Sequence, residues 1–149
     1  MKIKQLSLFL ENQAGKLYYP CKVLAEAGID ILTLSLADTQ QFGILRLIVD
    51  DWEKARTVFE KAGSVVKVTE VVAVEVENRP GGLAGILEIL EESRINIEYM
   101  YAFTFGRQDR AIMIFRFEDS DGAIRVLNTK GVRIVSQTDL KHHQNGREC

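Results

Sequence analysis

Histidine and cysteine are scarce in this 149-residue chain, with two of each. The histidines, His142 and His143, stand side by side near the C-terminus, and Cys149 lies there too. A nucleophile activated by histidine needs that histidine within hydrogen-bond reach, so neither a Ser-His-Asp nor a Cys-His arrangement is suggested. Adjacent histidines point different ways on regular structure, and no third ligand falls at a metal-site spacing. No metal or cofactor is expected. Two cysteines exclude a disulfide framework and make the cytoplasm the expected compartment. Cys21 reads as a small buried hydrophobe on a helix face. An excess of either charge is also missing, because 19 Lys and Arg against 21 Asp and Glu leave a net charge of −2. Nucleic-acid binding usually leaves a basic footprint, and there is none. No uninterrupted apolar run approaches the roughly 20 residues of a membrane span, and Met1-Lys2-Ile3-Lys4 leads into a short alternating strand, not a signal peptide. Gly81-Gly82 lacks the lysine and spacing of a phosphate-binding P-loop. The 46% apolar and 27% charged residues fit a soluble globular protein that buries roughly 70% of its unfolded surface.

What is present is a repeat. Shifting the chain by 66 positions aligns Glu11 with Glu77, Asn12 with Asn78, Gly15 with Gly81, Leu24 with Leu90 and Ile31 with Ile97. Past a two-residue insertion the register becomes 68, where Leu47 meets Phe115, Asp51 meets Asp119, Ala55 meets Ala123 and Gly63 meets Gly131. Chance similarity rarely keeps register through strands, helices and turns together, so the chain is an internal duplication.

Each copy reads as strand, helix, strand, strand, helix, strand. In the first, Ile3 to Leu10 alternates, and Leu17, Cys21, Leu24 and Ala25 share a helix face that Gly28 terminates. Ile31–Leu36 and Ile44–Val49 form a hairpin around the turn 38–41. A second helix starts near Asp50-Asp51, turns Ala55, Val58 and Phe59 inward and stops at Gly63, and Val65–Val68 closes the unit. The second copy repeats this with Val72–Val76, a helix bearing Leu83, Ile86, Leu87 and Leu90, strands Ile97–Phe105 and Ala111–Phe117, a helix near Ala123–Asn128, and Val132–Ser136. Pro20 requires the first helix to begin late, because deeper in a helix it would clash with the preceding turn. Arg94 stands where a capping glycine is expected, so a left-handed residue there costs on the order of 1 kcal/mol. Glu75 and Glu77 read as solvent-facing. The expected organisation is a first unit over 1–69, a second over 70–137 and a frayed polar tail over 138–149. The fold class is α+β. Two ferredoxin-like βαββαβ units each carry an antiparallel sheet with helices on one face. Joining the units side by side, edge to edge, would hide edge strands.

The run Val-Glu-Asn-Arg-Pro-Gly-Gly-Leu from Val76 to Leu83, followed after an amphipathic helix by Ile95-Asn96-Ile97, resembles the opening of an ACT domain, the small regulatory module of amino-acid metabolism. The first copy is similar but degraded, with Glu11-Asn12-Gln13-Ala14-Gly15-Lys16-Leu17 and Gly28-Ile29-Asp30-Ile31. The resemblance covers nearly the whole chain as a tandem pair. It implies a non-catalytic sensor that holds a free amino acid, or a similar small zwitterion, at the interface between ACT units. Carried over by motif, the contacting residues are Asn78 and Asn96 in the second copy and Asn12 in the first, with Asp30 in the fourth position and Ile31 and Ile97 beside them. Serine sensors of the family present a histidine two residues before the loop asparagine. Here those positions are Leu10 and Val76, so serine is not favoured. A homodimer and a regulated enzyme acting in trans are the implied partners.

The residues themselves supply a reason for this chemistry. A zwitterion's carboxylate needs N–H donors, which the backbone around Ala14, Gly15, Lys16 and Leu17, and around Pro80, Gly81, Gly82 and Leu83, can provide, although Pro80 itself donates nothing. An asparagine side chain offers a donor and an acceptor. Because Asp30 replaces the second asparagine in one copy, the two sites are expected to differ in affinity. Two other readings stay open. Asn12 and Asn78 are also good helix caps, in a purely structural dimerisation module. The alternating Tyr99, Tyr101, Phe103 and Phe105 share one strand face and could stack the bases of single-stranded RNA, as in another βαββαβ module. The matching positions of the first copy, Thr33, Ser35 and Ala37, carry no such stripe.

Overall fold

The computed structural model describes residues 1–103 and 109–145, the last three by their backbone. The chain runs β1 (Ile3–Glu11), α1 (Tyr18–Glu26), β2 (Ile31–Thr39), β3 (Phe42–Val49), α2 (Trp52–Lys61), β4 (Val66–Glu77), α3 (Gly82–Glu92), β5 (Ile97–Ala102), β6 (Arg110–Phe117), α4 (Ser120–Thr129), β7 (Ile134–Val135) and α5 (Gln137–Asn145). It divides into two units, one of Lys4–Thr69 and one of Met1–Ile3 with the residues from Glu70 onward. Two expected strands, Val65–Val68 and Val72–Val76, are one 12-residue strand, β4. No glycine, proline, asparagine or aspartate interrupts Val66–Glu77, so nothing turns the chain there.

In the first unit β3 pairs antiparallel with both β1 and β2, and the hairpin closes through the two residues Gln40 and Gln41 alone, tighter than expected. Leu6 and Leu8 of β1, Leu45, Leu47 and Val49 of β3, Leu24 of α1, and Ala55 and Phe59 of α2 form its core, with Val66 and Val68 packed against it. In the second unit β6 lies between β4 and β5, and β7 pairs with β4. Val72, Val74, Val76, Phe115, Phe117, Ile86, Leu90, Ala123 and Leu127 fill the equivalent core. Phe115 and Phe117, two apart on one strand face, stack with ring centroids 5.3 Å apart. The fold is two ferredoxin-like βαββαβ units, each an antiparallel sheet with a helix pair on one face. Leu24 and Leu90, Leu47 and Phe115, and Ala55 and Ala123 occupy matching core places, as the repeat requires.

Pro20 is the third residue of α1, inside the first turn where no helical N–H bond is lost. Leu17 and Ala25, expected on the inner face, are exposed, Leu17 because the late start leaves it at the N-cap. Cys21 is half-buried. Within the expected frayed tail the described residues, up to Asn145, form α5. Ser136 Oγ accepts the Asp139 N–H at 3.2 Å, the Leu140 N–H bonds back to the Ser136 carbonyl, and Leu140 is fully buried. The Ser136 cap satisfies the first turn of this short helix, and Leu140 is its buried apolar residue. Phe105 and Cys149 lie outside the described residues, as does the side chain of His143.

Candidate functional site

The four helices of the repeats begin in two different ways. Asp51 caps α2 by accepting the Lys54 N–H at 3.1 Å, and Asp119 caps α4 by accepting the Gly122 N–H at 3.0 Å. Each of these helices also carries an acid in its first turn, Glu53 or Asp121. By contrast, α1 and α3, which follow the motif loops, have Leu17 and Gly81 at the N-cap, no capping side chain and no acid in the first turn. Asn12 and Asn78 therefore cap nothing, which removes the capping explanation for them. Their exposed side chains, and that of Asn96, make no hydrogen bond within the described protein. At the start of α3 the amides of Leu83 and Ala84 meet no acceptor in the described protein, whereas the Gly82 N–H is turned inward to the Arg79 carbonyl at 3.0 Å. An uncapped N-terminus with free N–H groups carries a partial positive charge and favours an anion.

The two loops differ in one decisive glycine. A Cβ on Gly82 would lie 2.0 Å from the Glu77 carbonyl oxygen, so the chain can close on itself here only without a side chain. Gly81, with φ 86°, sets up that turn. The counterpart of Gly82 is Lys16, which cannot make the approach. Accordingly α1 begins at Tyr18, two positions later in the repeat than α3. The Lys16 N–H is used internally, bonding the Gln13 carbonyl at 3.3 Å.

Beside this loop, in the second unit, lies a cavity of about 420 Å³, within the lower range of small-molecule pockets. Gly81, Gly82, Gly85, Ile86 and Ile89 form one wall, and Gly131, Val132 and Arg133 another. The remaining lining is charged, with Glu75, Glu77, Arg79 and Arg110. Arg79 pairs with Glu77. Glu75 sits between two guanidiniums, Arg110 Nε at 3.7 Å and Arg133 Nη1 at 3.4 Å. Its side chain is only 15% exposed, so the expectation of a solvent-facing Glu75 is corrected. The sequence reading missed Arg110 and Arg133 because neither belongs to the motif loop. β6 and the segment before β7 bring them there, and only the alternation of Glu75 away from the core pointed toward such a partner.

Of the motif residues, Gly81 and Gly82 line this cavity, while Asn96 and Ile97 line a separate open groove of about 540 Å³ with Leu87, Leu90, Glu91, Arg94 and Ile95. The two places are at opposite ends of α3, whose 11 residues span about 16 Å. Asn12 and Asp30 are likewise separated by α1. Asp30 is held by its backbone, its N–H bonding Asp50 Oδ1 at 3.0 Å and its carbonyl accepting the Asp50 N–H at 3.1 Å. Among the described stripe residues Tyr99 and Tyr101 are half-buried and Phe103 is buried, so these three offer no fully exposed ring for stacking. Among the described residues no cluster of His, Cys, Asp and Glu could hold a metal, and no helix is long and apolar enough to cross a membrane.

Comparison with curated proteins gives no match. Among solved structures the chain is similar to protein BT0572 from Bacteroides thetaiotaomicron, at 38% identity over 94% of this chain and 96% of that one, with a TM-score of 0.88. It is similar in fold to the regulatory subunit of aspartate kinase from Thermus thermophilus in its ligand-free form, at 18% identity over 85% of this chain and 91% of that one, with a TM-score of 0.64. The corresponding subunit from Thermus flavus gives 18% identity, coverages of 85% and 90%, and a TM-score of 0.60. The family model of the ACT domain pair matches residues 1–143. With that match, two βαββαβ units and a glycine loop opening an uncapped helix in each, the chain belongs to the ACT domain family as an ACT domain pair.

Proposed function

We propose that this protein is a non-catalytic regulatory module that binds a free amino acid or similar small zwitterion at its motif loops. The observation that carries the reading is the contrast among helix starts. Where the ACT motif sits, no acid meets the N–H groups opening α3, which are left to an external anion, while α2 and α4 each start on an aspartate cap with a second acid in the first turn. A ligand carboxylate fits that position, and the unpartnered amide of Asn78 serves either end of the zwitterion. Asn96 is a helix length away, so a ligand touched by both kinds of asparagine is held where one ACT unit meets another, whichever copy of the chain supplies it. Binding there favours one arrangement of units over others, and that differential affinity is the signal. The module acts in the cytoplasm as a homodimer, on an enzyme in trans. Similarity in fold to aspartate kinase regulatory subunits supports such a role.

A thermal-shift screen against the common amino acids tests the reading, since a ligand at about 100 times its Kd adds roughly 2.7 kcal/mol of stability. The expected result is a shift with at least one amino acid that is lost in Asn78→Ala or Asn96→Ala. No shift with any amino acid, or shifts indifferent to substitution at Asn12, Asp30, Asn78 and Asn96 alike, would reject it.

A further inference from the structure

We infer that the ligand of the second unit is an acidic amino acid, with its side-chain carboxylate held by Arg110 and Arg133. This rests on the amino-acid-binding reading above and names the ligand class. The charged lining of the cavity comprises three arginines, Arg79, Arg110 and Arg133, against two carboxylates, Glu75 and Glu77. Asp139, just outside the lining, brings the acids near these arginines to three, so the opening for a ligand anion lies in the donors and not in net charge. Those donors are under-used. Arg110 and Arg133 share the single carboxylate of Glu75 at 3.7 and 3.4 Å, and the other acid near Arg133, Asp139, is 4.0 Å away. Charge-assisted pairs close to about 2.7–2.9 Å when geometry allows, and each guanidinium has five N–H donors, so a second anion has donors to meet. The helix side is open, because a Cβ on Gly85 would touch nothing within 4 Å. An acidic amino acid then has its α-carboxylate on the Leu83 and Ala84 amides, its ammonium facing Glu77, and its second carboxylate facing the two arginines.

The first unit lacks this apparatus position by position. Through the repeat register Glu75 corresponds to Phe9, Arg110 to Phe42, Arg133 to Val65 and Gly85 to Tyr19. The pairing confirms the match, since Glu77 faces Arg110 as Glu11 faces Phe42. Phe9, Phe42 and Val65 are 65%, 49% and 84% exposed and offer no charge. The chain therefore carries one acidic-ligand site, in the second unit.

Isothermal titration of the full chain with L-aspartate, L-glutamate, L-alanine and L-lysine tests this. The expected result is one acidic amino acid per chain, bound on the order of tenfold more tightly than the neutral or basic ones, as one additional charge-assisted interaction implies. Arg110→Gln and Arg133→Gln should each lower the preference for the acidic ligand over L-alanine by a similar factor, with unliganded thermal melts establishing that both variants fold. Acidic ligands bound no more tightly than L-alanine, acidic binding indifferent to both substitutions, or two equal acidic sites per chain would overturn the inference. If L-alanine binds and Asn78→Ala abolishes it while acidic ligands show no preference, only this inference fails. If no amino acid binds at all, the reading beneath it fails as well.

Discussion

Replacing Arg94 by glycine should stabilise the protein. All four repeat helices end in the same way, with a residue at positive φ followed by an N–H that reaches back to a carbonyl five residues earlier. The residues are Gly28 (φ 68°), Gly63 (84°), Arg94 (54°) and Gly131 (75°). The returning bonds, Ile29 to Leu24, Ser64 to Phe59, Ile95 to Leu90 and Val132 to Leu127, measure 2.9–3.0 Å. This is the Schellman closure, and it satisfies carbonyls that the helix leaves open. Three helices use glycine, whereas α3 uses an arginine whose Cβ crowds its own backbone. The left-handed conformation costs an L-residue about 1–2 kcal/mol. Glycine gives back about 0.5–1 kcal/mol through the greater freedom it has when unfolded. The net expectation for Arg94→Gly is a gain of about 0.5–1 kcal/mol, or a rise of roughly 1–4 °C in Tm for a chain of this size. Arg94 is exposed and makes no ion pair among the described residues, so no contact is lost to offset the gain. Urea unfolding and calorimetry of the variant beside Gly131→Ala, which should lose about 1 kcal/mol at the matching place, give an internal control. An Arg94→Gly protein no more stable than the parent, alongside a destabilised Gly131→Ala, would refute the argument that the φ angle sets the penalty.

Two further outcomes follow from single positions. Gly82→Ala puts a methyl group against the Glu77 carbonyl and should cost about 1–3 kcal/mol as an overpacking change, while delaying the start of α3 toward that of α1. Denaturant melts and amide exchange at Leu83 would show it, and parental stability with an unaltered loop would contradict it. The Lys2 ammonium, 2.8 Å from Asp121, lowers the Asp121 pKa below its ordinary value of 3.8 through a hydrogen bond and its charge, and Asp121 raises Lys2 above 10.5. With the folded carboxyl pKa depressed and the ammonium pKa raised, their contribution is present between those two ordinary values. It fades as pH falls through the folded Asp121 pKa or rises through that of Lys2. Lys2→Ala should return Asp121 toward its ordinary titration when followed by NMR, and an unmoved curve would show that the pair does not set it.

Much of the fold was written in local pattern. Alternation in β1 and β6, glycines at the ends of α1, α2 and α4, and aspartates at the starts of α2 and α4 each have a short-range physical cause, and the repeat doubled every such signal. The late start of α1 followed from Pro20, a property of one residue, and the left-handed turn at Arg94 from its place opposite Gly28 in the repeat. Where the reading of local pattern fell short, long-range contacts decided. The C-terminal helix α5 is fastened by Leu140, whose burial no polar stretch announces. Glu75 looked solvent-facing because strand alternation places it away from the core, yet arginines on β6 and before β7 close on it.

The sequence by itself determined the duplication, the βαββαβ order and the place of the two motif loops, because period and turn chemistry act within a few residues. Only the tertiary structure decided that no side chain caps the helices after those loops, that the second unit has a charged cavity, and that Asn96 lines a groove separate from it. Distances between residues far apart in the chain depend on how strands and helices pack, and no local rule encodes them.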